Sequence, residues 1–139
     1  MQENNLIDNP IHYKSFGFES IDLIICVIEL MPIKNMAFHV GNAIKYVLRS
    51  KFKSNEIQDL KKANWYITKS KKWIQNKESI ITEQSEVLKY LDFVLKKDFK
   101  LYIVLNGICS FALNPSIRNY EILEKIFASY MNERCSPNV

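Results

Sequence analysis

Only three glycines and four prolines punctuate this 139-residue chain. All-β architectures need turn residues every several positions, so the scarcity argues against them and favours long helices. The glycines stand alone, at Gly17, Gly41 and Gly107, which excludes a phosphate-cradling P-loop and a dinucleotide-binding glycine fingerprint. The three cysteines, Cys26, Cys109 and Cys135, are odd in number, far apart and without zinc-ligand spacing. They read as free thiols in a reducing compartment. No stretch approaches the roughly 18–20 uncharged apolar residues that a membrane span requires, so no membrane is expected as a partner. Met1–Pro10 is polar and acidic rather than basic then apolar, and a secretory leader is not expected there.

What is present is apolar material and a block of positive charge. Hydrophobic residues make up 47% of the chain, enough for one real core. The net charge of +4 is unevenly spread. Residues 1–40 hold two Lys/Arg against five Asp/Glu, residues 41–77 ten against two, and residues 78–139 seven against eight. A basic block between near-neutral flanks points to an anionic partner such as nucleotide phosphates, or else to solvated helix faces.

Apolar periodicity predicts a first helix over Glu19–Leu30, ended by Met31-Pro32, and a second over Asn35–Phe52. Gly41, inside the second, suggests close helix packing or ligand approach, because glycine costs about 1 kcal/mol against alanine there. Ser54-Asn55 offers a cap for a third helix over Glu56–Gln75, and a capping sequence from Thr82 to Ser85 opens a fourth that ends at Lys97. Leu101–Leu105 fits a short strand or a buried helix running on to Ala112, which periodicity does not settle. Asn114-Pro115-Ser116 opens a last amphipathic helix over Ile117–Asn132. The expected fold is therefore all-α, mainly helical with at most one short strand, in a compact multi-helix single domain.

Three groups of residues could carry chemistry. Asn42, Lys45 and Arg49 lie at i, i+3 and i+7 on the second helix, so an amide, an ammonium and a guanidinium share one face, with Tyr46 beside them. Asp59, Lys62 and Tyr66 repeat that spacing on the third helix, with Trp65 adjacent. A carboxylate among cations could coordinate magnesium or orient a substrate, and the aromatics could stack on a base. The plainer alternatives are a local Asp59–Lys62 surface pair and Trp65 in the core. His12, Tyr13 and Lys14 follow the Asn9-Pro10 turn and could reach a phosphate or move a proton. Glu19-x-x-Asp22 and Glu56-x-x-Asp59 are acidic pairs one turn apart, the kind of array that holds magnesium in all-helical nucleotide pyrophosphatases.

Four blocks in order, Asn9-Pro10-x-His12-Tyr13, Glu19-x-x-Asp22, Phe38-x-x-Gly41-Asn42-Ala43-x-Lys45-Tyr46-x-x-Arg49 and Asp59-Leu60-x-Lys62-Ala63-x-Trp65-Tyr66, resemble the SaV-like phage family. That is a small domain of uncertain function often described as nucleotide-kinase-like, and the resemblance covers about residues 9–67. It implies phage or prophage origin, a cytoplasmic setting in an infected bacterial host, and nucleotide handling. The chain is read as a nucleotide-binding region, 1–78, and a helical extension, 79–139, packed on it. Because the apolar segments Leu101–Leu113 and Ile117–Tyr130 exceed what the first three helices need to cover, the extension is expected to serve homo-oligomerisation. The segment after the arginine, residues 50–53, lacks the glycine of the family pattern.

The leading expectation is a nucleotide-binding protein, in its catalytic form a deoxynucleoside monophosphate kinase without a P-loop. Lys45, Arg49 and Lys62 would neutralise phosphoryl oxygens, Asp59 would orient a magnesium ion or the acceptor, and His12 or Tyr13 would close the site. A counter-defence protein that sequesters a nucleotide signal, or binds a host protein, is the non-enzymatic alternative. A magnesium-dependent nucleoside triphosphate pyrophosphatase is the third. Nucleic acid ranks below these, because no reading motif accompanies the basic block.

Overall fold

A computed structural model describes residues 16–52, 54–75 and 83–135. Among these it contains six α-helices and no strand: α1 (Ser20–Leu30), α2 (Ala37–Arg49), α3 (Glu56–Lys69), α4 (Ser85–Lys97), α5 (Phe99–Leu113) and α6 (Ile117–Cys135). Short 3₁₀ turns precede α2, at Lys34–Met36, and follow α3, at Ser70–Trp73. The class is all-α. The strand alternative for Leu101–Leu105 is wrong, and that segment is the first half of α5.

The reasons are local at the helix ends and tertiary in the middle. Glu19 and Asp22 form a reciprocal capping box on α1, with the Glu19 N–H donating to the Asp22 carboxylate at 3.3 Å. Lys34 closes the other end of α1, donating from Nζ to the Ile28 and Glu29 carbonyls at 2.6 and 3.0 Å. Asp98 ends α4 and begins α5, its Oδ1 accepting from the Leu101 N–H at 3.1 Å. Asn55 occupies the cap position of α3 without a side-chain capping bond, contrary to expectation. Thr82, in the predicted cap of α4, lies outside the described residues.

α5 is the centre of the molecule. It packs against α1, α2, α4 and α6, and Leu101, Val104, Leu105, Ile108 and Phe111 are fully buried along it. Each such side chain contributes about 1.5–3 kcal/mol by leaving water. The apolar surplus of residues 101–130, which suggested an oligomer, is largely consumed inside the chain, since Tyr120, Leu123, Phe127 and Tyr130 of α6 join the same core. Gly41 lets α1 and α2 approach, because a Cβ there would stand 3.3 Å from Ile24 Cγ2 and 3.7 Å from Ile28 Cδ1. Packing, not ligand approach, is what this glycine serves in the described structure. α2 and α3 lie side by side and present the face considered next.

Candidate functional site

The ten basic residues of positions 41–77 meet different fates. Arg49, in the last turn of α2, faces Asp59, in the first turn of α3, at 3.8 Å, and the side chains are 30% and 4% exposed. Each charge also has the sign its helix end favours. Neither Arg49 Nε nor Asp59 Oδ2 has a hydrogen-bond partner among the described residues, so the contact is an ion pair that fastens the α2–α3 corner. Lys51 pairs with Asp98 at 3.3 Å and stands 4.0 Å from Glu56, which also meets Arg134 of α6 at 3.4 Å. Lys53 and Lys77 lie outside the described residues.

The remaining lysines of the block behave differently. Lys45 on α2 and Lys62 on α3 each place Nζ 5.3 Å from the centroid of the Tyr46 ring, and neither has a carboxylate partner among the described residues. Tyr46 stacks on Tyr66 across the helix pair, centroids 6.1 Å apart and planes 12° from parallel. Tyr66 then touches Trp65 at 5.0 Å, Phe38 at 5.8 Å and His39 at 6.0 Å, all nearly edge-on, and His39 touches Trp73 at 5.0 Å. Lys69 lies 5.5 Å from the Trp65 ring and Lys72 4.5 Å from that of Trp73. Trp65 is 54% and Phe38 67% exposed, so neither is core. Asn42 spends one N–H on the Phe38 carbonyl at 2.8 Å, and its oxygen accepts from no group among the described residues. Burial, and then the charge of Lys72, push the His39 imidazole below its ordinary value of 6.5, so it is neutral at physiological pH.

Of the predicted site residues, the fold gathers Lys45, Tyr46, Lys62, Trp65 and Tyr66, with Asn42 one turn before Tyr46 on the same helix. Arg49 and Asp59 are drawn into each other. The Asp59–Lys62 surface pair does not form; Asp59 is buried against Arg49 instead. Glu19 and Asp22 serve the start of α1, and no group of three or more metal-ligating side chains occurs among the described residues. His12, Tyr13 and Lys14 lie outside them.

This geometry falls largely inside a segment of the chain that one family model matches. Residues 7–68 match the family model described as a protein of unknown function (DUF3310). No curated protein and no solved structure matches the chain. The DUF3310 match takes in α1, α2 and all but the last residue of α3, and so contains every ring of the cluster except Trp73. None of the helices among the described residues is long and apolar enough to cross a membrane.

Sequence reasoning missed Phe38, His39, Lys69, Lys72 and Trp73 as members of this face. One part was legible: Lys62, Trp65, Tyr66 and Lys69 stand at i, i+3, i+4 and i+7, a single stripe of α3. His39 and Trp73 carry no such signal, since they meet only because the 3₁₀ turn after α3 folds back beside α2.

Proposed function

We propose that the α2–α3 face binds a nucleotide or nucleotide-like phosphorylated small molecule and sequesters it without turnover. The observation that carries this is the convergence of Lys45 and Lys62, from two helices, on the ring of Tyr46. An exposed cation–π contact contributes only about 0.5–1 kcal/mol, so a phosphate can draw both ammoniums away at small cost. Asn42 adds an acceptor, and the exposed rings around Tyr66 add surfaces for a base.

The surroundings of Asp59 support binding without transfer. A kinase of the expected kind needs that carboxylate to orient magnesium or the acceptor. Here it is buried and engaged by Arg49. A pyrophosphatase would need Glu19, Asp22, Glu56 and Asp59 around magnesium, and these instead cap α1 or pair with cations. The likeness to the SaV-like family supports the nucleotide class, and phage origin and a bacterial cytoplasmic setting belong to the same proposal.

Titration calorimetry with nucleoside mono-, di- and triphosphates is the test. Saturable binding that falls about tenfold or more in Lys45→Gln and Lys62→Gln is expected, with no conversion of nucleotide when magnesium is added. No heat of binding with any of them would end the proposal, and label transfer between nucleotides would overturn its non-catalytic clause.

A further inference from the structure

The lysine pair at Tyr46 is one of three similar stations. Trp65 has Lys69 at 5.5 Å and Trp73 has Lys72 at 4.5 Å. The stations are joined through Tyr66 and His39 by ring contacts of 5.0–6.1 Å. A mononucleotide has one base and one phosphate group, and it would occupy one station. The other rings, with Phe38 67% exposed and Trp65 54% exposed, would then stand in water without a role. Large apolar side chains grouped on a surface mark a contact site. The cations interleaved with them give that site a sign.

We infer that this face takes single-stranded nucleic acid, a class of ligand that presents one base and one phosphate per step. The inference rests on the nucleotide-binding reading above and extends it from one unit to several. A base stacks on an exposed ring while the lysine beside that ring swings to the neighbouring phosphate. Every base has a π-face, so stacking of this kind tolerates sequence. A duplex keeps its bases stacked on one another and offers the rings nothing. The absence of a sequence-reading motif, which counts against specific duplex binding, does not count against this mode. Lys61, exposed on α3 one turn before Trp65, adds to the positive surround.

The test uses the full chain and fluorescein-labelled oligothymidylates from the mononucleotide up to about 12 nucleotides, with a hairpin duplex as comparison. Affinity read by anisotropy is expected to rise at least tenfold from the mononucleotide to the longer strands, and the duplex to bind more weakly than a strand of equal length. Trp65→Ala and Phe38→Ala each remove an exposed ring and should fold; each is expected to weaken long strands by about fivefold or more. In Lys69→Gln/Lys72→Gln the slope of log affinity against log salt, between roughly 50 and 200 mM, should fall by about 1.4. Both tryptophans of the chain are in the face, so intrinsic fluorescence should quench on binding. Mononucleotide binding with no gain in length sinks this inference and leaves the nucleotide reading standing. Binding of neither sinks both. If light scattering shows a dimer that Trp65→Ala converts to monomer, while no strand binds, the face is a contact between copies and the inference falls.

Discussion

A carboxylate beside several cations can hold a metal, orient a substrate or fasten a fold, and surroundings separate these roles at Asp59. Its spacing to Lys62 and Tyr66 makes it a site candidate, but its side chain is 4% exposed and faces Arg49 at 3.8 Å. Replacing it by asparagine leaves the guanidinium without its counter-charge. Because Arg49 is 30% exposed, the cost is discounted from the full buried-pair value to about 1–3 kcal/mol. Urea unfolding of Asp59→Asn should therefore show a lowered midpoint, and nucleotide affinity at matched folded fraction should change little. An unchanged midpoint would mean that the carboxylate does not serve the fold. Trp65 is the opposite case: helical spacing allows it to be core, and only the packing of α3 on α2 and α6 leaves it outside.

At the scale of elements, the helices form where apolar spacing and breakers place them, and their ends follow capping chemistry. Periodicity is a property of neighbours three and four apart, so α1, α2, α3, α4 and α6 were legible with ends displaced by a few residues. Leu101–Leu105 was not, since a run apolar on all sides has no face to read. The Asp98 cap and burial against four helices make it helix. Gly41 shows what element packing demands of one position. Gly41→Val puts a branched side chain against Ile24 and Ile28 and should cost about 1–3 kcal/mol. Gly41→Ala should stay within about 1 kcal/mol of wild type, because the gain in helix propensity offsets the 3.3 Å contact. Equal stability of the valine variant and wild type in urea titrations would show that the α1–α2 contact is looser than described.

For the whole molecule, the family-matched segment and the structural unit differ. Residues 7–68 include α1, α2 and nearly all of α3, yet α2, whose Val40, Ile44 and Val47 are fully buried, also packs on α5, which lies outside them. A chain cut after residue 78 loses α5 and with it part of the surface against which α1 and α2 pack. It is expected to lack a cooperative thermal transition by circular dichroism. A sharp transition for residues 1–78 alone would mean that the basic aromatic face stands on a self-sufficient domain.

The amino-acid sequence by itself determined the helical class, the basic block and the stripe of cations and aromatics along α3, because scarcity of turn residues, net charge and spacing are local properties of a chain. It did not determine which cations remain available to a ligand. Arg49 and Lys51 are claimed by carboxylates that approach only when helices pack, and Lys45 and Lys62 come from separate helices to one ring. Such pairings depend on how helices cross, and that is set by the core they share.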